Sequence, residues 1–259
     1  MPDSPSLSTS STEPLRFSHQ VRTFETDAHG RLTPSALLNL LQYAAGRHAE
    51  LLGWSVRSLH ENSQTWVLQR FYCDIKALPQ DNERVHITTY PSGAERVLAY
   101  RDYKVEDEQG RRLVDATSSW VILDLNSRRV QPVPEHVAAL GKVFGSRITS
   151  FPAGRLSAFD ITGRFPRASF RIRRHDLDLN RHVNNVRYME WGMESVPHDV
   201  FEQPLAEMDI VFKAECFFGD SVDVFCQGDS PGKFRHVLRR RSDEKIVCLM
   251  NSRWKLSSG

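Results

Sequence analysis

Residues 175–185 read HDLDLNRHVNN and place Asp176, Asp178, Asn180, His182 and two asparagines within one short stretch. Carboxylates, a carboxamide and an imidazole in such proximity can move a proton and orient a reacting group. The stretch alternates polar and apolar like a strand, then stops alternating just ahead of an apolar helical pattern. The same residues therefore also serve as a turn and a helix start. Nothing else in the chain competes for chemistry of a familiar kind. There is no Gly-rich phosphate loop and no HExxH, so the sequence supports neither nucleotide nor zinc chemistry, and no metal or cofactor is expected.

The elements that must position this stretch occur twice. LRFSHQVR (15–22) reads as a strand, ETDAHGRLTP as a polar turn, and SALLNLLQYAAGRHAELLGW (35–54) as a mostly buried helix, with Thr33 as N-cap and Pro34 at its first position. TWVLQRFYCDI, ERVHITTY, RVLAYRDYKVED and LVDATSSWVILDL follow as strands. The order then repeats: strand SFRIRR, the polar turn, helix NNVRYMEWGMESVP (184–197), and strands AEMDIVFKAECF, DSVDVFCQ, FRHVLRRR and KIVCLMNSRWKL. A strand, a long helix and a curved antiparallel sheet make the hot-dog unit. The expected fold is α+β, a tandem double hot-dog forming a pseudo-dimer with one continuous sheet.

The expected organisation is a disordered tail over 1–14, an N-terminal hot-dog over 15–125, a Pro-containing linker over 126–165 with a short helix at PEHVAAL, and a C-terminal hot-dog over 166–259. The two polar turns align without a gap when Asp27, His29, Arg31 and Thr33 lie over Asp176, Asp178, Asn180 and His182. On that alignment a good cap in the first copy gives way to Arg-His-Val-Asn in the second, a sign that local rules yield to chemistry there.

The chain has 259 residues, 40% hydrophobic and 25% charged, enough for one large domain or two small ones. Its apolar runs fall short of a membrane span, and no membrane insertion is expected. The N-terminus lacks the marks of a secretory signal or transit peptide. Four cysteines without CxxC spacing fit reduced thiols and a cytoplasmic setting. Net charge is only +2, yet ten Lys or Arg stand against three Asp between Lys142 and Arg187, and Arg239, Arg240 and Arg241 form a second cluster. Without a nucleic-acid-binding motif, the basic surface reads as a solvated face or a docking patch for an acidic partner.

HDLDLNRHVNNVRYMEWGMES followed by FKAEC resembles the acyl-acyl carrier protein (acyl-ACP) thioesterases of plants and bacteria, and the likeness covers residues 15–256. Trp66-Val67-Leu68 and Trp120-Val121-Ile122 are similar to that family too. The resemblance implies hydrolysis of fatty acyl-ACP to free fatty acid, ending chain elongation, by a bacterial-type cytoplasmic member. It carries the active-site positions onto Asp178, Asn180, His182, Glu215 and Cys216.

Two routes stay open. Cys216 is a nucleophile activated by His182 with Asn180 orienting the ring, or Asp178 or Glu215 activates water while His182 and Asn180 bind the carbonyl oxygen. The carboxylate route is favoured, because Glu215 raises its neighbour's thiol pKa and adjacent strand residues point to opposite faces. Aligned with Thr33, His182 falls at the N-terminus of the second helix. Asn184 is a helix-start residue that can also position substrate. Leu37, Leu41, Trp66 and Leu68 are candidates to line an acyl tunnel, and Arg173, Arg174 and Arg181 to dock the acidic carrier protein. The rivals are an acyl-CoA thioesterase on the same fold, a dehydratase, and a non-catalytic acyl-binding protein; the chain is expected as a monomeric pseudo-dimer or a homodimer.

Overall fold

The computed structural model describes residues 13–144 and 147–256. Nearly all of the tail expected over 1–14 lies outside the described residues. The first half runs β1 (Leu15–Gln20), α1 (Pro34–Leu51), α2 (Val56–His60), β2 (Gln64–Ile75), β3 (Arg84–Glu95), β4 (Leu98–Asp107) and β5 (Arg112–Asp124). A connecting segment carries β6 (Val130–Gln131) and α3 (Glu135–Val143). The second half runs β7 (Ala168–Arg171), α4 (Asn185–Met193), α5 (His198–Phe201), β8 (Leu205–Phe212), β9 (Ser221–Ser230), β10 (Lys233–Arg240) and β11 (Ile246–Trp254).

All strands join one sheet in the order β1-β3-β4-β5-β2-β8-β11-β10-β9-β7, with β6 beside β5. The order reads as a palindrome about the β2–β8 pair, the signature of two like units related by a pseudo-two-fold axis. There the strands run antiparallel, Tyr72 facing Asp209. Arg70 and Asp209 clamp this seam with a bidentate pair, Nη2 to Oδ2 at 2.6 Å and Nε to Oδ1 at 2.8 Å. This is the tandem hot-dog expected from the sequence.

Each half wraps its sheet around one helix. Leu37, Leu41, Ala44 and His48 recur along the buried stripe of α1, and Val186, Met189 and Met193 along that of α4. Thr33 caps α1, its Oγ1 accepting from the Ala36 N–H at 3.1 Å, with Pro34 in the first turn. The helix expected over 184–197 ends at Met193. Ser195 Oγ bonds back to the Gly192 carbonyl at 2.6 Å, and Pro197 cannot extend the backbone ladder. Gly192 lets the end of the Met250 side chain on β11 pack close: a Cβ there would lie 2.4 Å from Met250 Cε and would make that side chain shift.

The connecting segment covers the outer face of the sheet. A Cβ at Gly141 on α3 would meet Gly93 Cα on β3 at 2.4 Å. Asp102, fully buried on that face, accepts from Ser92 Oγ (2.8 Å), Thr117 Oγ1 (2.7 Å) and the Ile148 N–H (2.6 Å). The Arg239–Arg241 cluster is largely neutralised within the fold: Arg239 and Arg241 pair with Asp223, and Arg240 with Asp243.

Candidate active site

The chemistry-bearing stretch folds as a tight turn closed by a Leu177–Val183 bridge. Asp178 holds it together: its N–H donates to the His182 carbonyl at 2.8 Å, and its Oδ1 accepts from the N–H groups of Asn180 (2.8 Å) and His182 (3.1 Å). Arg181 takes a left-handed conformation, φ 62°, which costs a non-glycine residue about 1–2 kcal/mol.

The same turn occurs in the first half. Asp27 Oδ1 accepts from the N–H groups of His29 (2.8 Å) and Arg31 (3.0 Å), and Gly30 is left-handed at φ 73°. The structural equivalence is therefore Asp27 with Asp178, His29 with Asn180, Gly30 with Arg181, Arg31 with His182 and Thr33 with Asn184. This corrects the sequence alignment by two residues. Asp176 matches Glu25 instead: each accepts from the backbone N–H three residues earlier, Arg173 (2.7 Å) and Arg22 (2.9 Å). The cap is not lost in the second copy, because Asn184 Oδ1 accepts from the Val186 N–H at 3.0 Å. His182 stands two residues before that cap, not at the cap position that its alignment with Thr33 gives it.

Glu215 and Cys216 do not lie on a strand as expected. β8 stops at Phe212, where the N–H groups of Lys213 and Ala214 both turn to the Val247 carbonyl (2.9 and 3.3 Å), and residues 213–220 form a loop. The Cys216 carbonyl accepts from the Val183 N–H at 3.0 Å, which ties this loop to the turn. Glu215 then meets His182, Oε1 to Nδ1 at 3.4 Å, both side chains about one-quarter exposed. Phe217 packs edge-on against the imidazole, centroids 5.2 Å apart. Cys216 points the other way, into the core, with no exposed surface. Burial pushes its thiol up, against the opposing pull of the Tyr188 hydroxyl and the Arg240 guanidinium.

Two residues at this site escaped the sequence reading. Arg128, from the turn after β5 in the other half, reaches Glu215 Oε2 through Nη2 at 2.5 Å, and Arg240 Nη1 donates to the Glu215 carbonyl at 2.6 Å. The one local trace of Arg128 is a turn in which Asp124 Oδ1 accepts from the Ser127 N–H at 2.7 Å and Arg128 is left-handed, φ 57°. Nothing in that trace names its partner.

Of the other sequence candidates, Leu37, Leu41 and Leu68 are closed core, and the Trp66 indole N–H donates to the Trp54 carbonyl at 2.9 Å. Arg173 is exposed beside Asp176, Arg174 stacks over the Phe218 ring at 4.9 Å, and Arg181 is exposed on the turn itself. Among the described residues no cluster of metal-ligating side chains occurs, and no helix is long and apolar enough to cross a membrane.

The acyl-ACP thioesterase N-terminal domain matches residues 15–140, and the acyl-ACP thioesterase C-terminal domain matches residues 162–256. The chain belongs to the acyl-ACP thioesterase family. It is 31% identical over 222 residues to the chloroplastic oleoyl-acyl carrier protein thioesterase of Coriandrum sativum, covering 78% of this chain and 59% of that protein. To oleoyl-acyl carrier protein thioesterase 1 of Arabidopsis thaliana it is 27% identical over 271 residues, 91% of this chain and 74% of that protein. The chain thus spans about three-fifths of the length of the coriander relative. In fold, this family member is similar to an acyl-ACP thioesterase from Bacteroides thetaiotaomicron, with a TM-score of 0.85 at 24% identity over 93% of this chain and 98% of that one. The 12:0-ACP thioesterase of Umbellularia californica gives a TM-score of 0.80 at 20% identity, over 93% and 97% of the two chains.

Proposed function

We propose that the chain hydrolyses the thioester of fatty acyl-ACP, releasing free fatty acid. The observation that carries this reading is the meeting of His182 and Glu215 across 3.4 Å on a turn that also presents the exposed Asn180. Water is the nucleophile. Its oxygen bonds to the thioester carbonyl carbon while its proton passes to the Glu215–His182 pair. The C–S bond then breaks, and the pair returns the proton to the departing sulfur. Asn180 donates to the carbonyl oxygen as negative charge develops there. Asp178 acts as a positioning residue, since its Oδ1 is held by two backbone N–H groups of the turn. Burial of Cys216 and the raised pKa of its thiol favour water over a thiolate nucleophile.

The surroundings suit an acyl group carried on an acidic protein. Leu179, Phe217 and Phe218 are exposed next to the site; Arg181 is exposed on the turn itself and Arg174 lies over the Phe218 ring at 4.9 Å, with Arg171 and Arg173 exposed just before Arg174 in the chain. Apolar anchors ringed by positive charge fit an acidic carrier presenting a lipid. Four free cysteines agree with a reducing, cytoplasmic setting.

The test is fatty acid release, followed by mass spectrometry, from matched acyl-ACP and acyl-CoA series of increasing chain length. Release from the carrier-protein thioesters is expected, and His182→Ala and Glu215→Gln should each lower it by about 10²–10⁴-fold. Release from acyl-CoA alone would replace the carrier, and no release from either would overturn the reading.

A further inference from the structure

The pseudo-two-fold axis that builds the candidate active site builds a second copy of its frame. The Leu32 N–H donates to the Pro79 carbonyl at 2.8 Å as Val183 does to Cys216 at 3.0 Å. The N–H groups of Lys76 and Ala77 share the Leu113 carbonyl (2.9 and 3.3 Å) as those of Lys213 and Ala214 share that of Val247. Leu78 therefore occupies the place of Glu215, and Arg31 the place of His182. Both groups proposed to move the proton are missing from this copy, yet the space they would serve is open. A cavity of about 430 Å³ lies there, within the ordinary range for small-molecule pockets. Its wall holds Arg31 and Leu78 from the first half and Met189, Trp191, Trp254 and Lys255 from the second or the residues just after it. None of Asn180, His182 and Glu215 borders it.

We propose that this cavity is a second, non-hydrolytic site that binds a free long-chain fatty acid. The aromatic, Met and Leu side chains offer the tail an apolar wall. Cations set the place of the carboxylate. Arg31 is paired with Asp27 at 2.9 Å, Lys76 with Asp115 at 2.9 Å and Arg173 with Asp176 at 3.6 Å. Lys255, exposed at the rim, contacts the Lys76 carbonyl at 2.5 Å and has no carboxylate partner among the described residues. Of the wall's carboxylates, Asp27 is held by Arg31 and Glu190 by Arg187 at 2.6 Å, while Glu194 has no ion pair among the described residues and opposes an anion. The occupant has a natural source, because the hydrolysis proposed above releases this kind of molecule. The choice of fatty acid rests on that reading, whereas the cavity and its cations do not.

The site is tested by binding alone. Fatty acids brominated along the chain quench tryptophan at contact, and Trp191 and Trp254 stand on the wall. Titration of the full chain should show saturable quenching that Trp254→Phe diminishes. Affinity should rise about fourfold per added methylene until the cavity is full, from about 0.8 kcal/mol each. Lys255→Glu should weaken binding at least about tenfold, and Glu194→Gln should tighten it. Quenching unchanged in amplitude and affinity in Lys255→Glu and Glu194→Gln, or an affinity indifferent to chain length, would overturn the proposal. Because no turnover is read, binding without thioesterase activity would remove the hydrolytic reading and leave the site standing; the opposite result would remove the site alone.

Discussion

Replacing Cys216 with alanine separates the two chemical routes that the site residues leave open. The Cys216 thiol is fully buried, and burial raises it above its ordinary value of 9.0. The neutral thiol is therefore the favoured form at pH 7, and forming the thiolate costs free energy before any bond forms. The carboxylate of Glu215 already faces His182. If water is the nucleophile, Cys216→Ala is expected to lower kcat/KM no more than about threefold. It should cost about 1–2 kcal/mol of stability from the small void left in the core, or a fall of about 2–4 °C in Tm per kcal/mol. The assay is kcat/KM on acyl-ACP beside a thermal melt of the same preparation, with mass spectrometry of acid-quenched wild-type enzyme during turnover. A loss of about 10³-fold in a well-folded variant, or an acyl group recovered on Cys216, would refute the reasoning.

Arg128 positions Glu215 from the opposite half, and its side chain is half exposed, 52%. Arg128→Met is expected to lower kcat about five- to tenfold with little change in KM or Tm, and Arg128→Lys to recover part of the loss; a fall in Tm without a change in kcat would assign it a purely structural role. Charge reversal at Arg173 and Arg174 should raise KM for acyl-ACP, and the difference from wild type should shrink as salt is added; an unchanged KM at low salt would remove both from the docking surface. Burial holds the His236 imidazole down to about 3, and burial followed by the nearby Arg101 guanidinium holds that of His48 down to about 4. Below the ordinary histidine value near 6.5 the unfolded chain takes up protons that the folded chain refuses, so stability is full above that value and is lost as pH falls toward 4. Together the two histidines should cost about 3–4 kcal/mol between pH 7 and pH 5 in denaturant titrations; stability that stays level over that window, or a slope untouched by His236→Gln, would contradict their neutral burial.

The repeat of strand, turn, helix and four strands was legible because each unit carries its own periodicity and its own turn residues. Thr33-Pro34 announces α1 by local chemistry alone, and the structure places the cap there. The register between the two turns was not legible. Asp176 and Asp178 both offer a carboxylate to align with Asp27, and a side-chain pattern cannot choose between them. The backbone decides: the carboxylate accepting from the second and fourth N–H groups ahead is Asp178, as it is Asp27 in the first half. The end of β8 was hidden for a related reason. FKAEC continues an apolar alternation, but Lys213 and Ala214 share one carbonyl on β11, a strand formed by residues far along the chain.

Residue types and near-neighbour spacing by themselves determined the duplicated fold, the cap of the first helix and the presence of an Asp, an Asn and a His on one short turn, because those depend on interactions within a few residues. Which groups face one another was decided only when the sheet closed in its palindromic order. Closure brought Glu215 to His182, and Arg128 from the other half to Glu215; it turned Cys216 into the core and set Arg31 and Leu78 beside an open cavity that none of Asn180, His182 and Glu215 borders. These contacts join segments that share no local pattern. Their distances follow from strand order and the pseudo-two-fold axis, which arise from burying both helices under one continuous sheet.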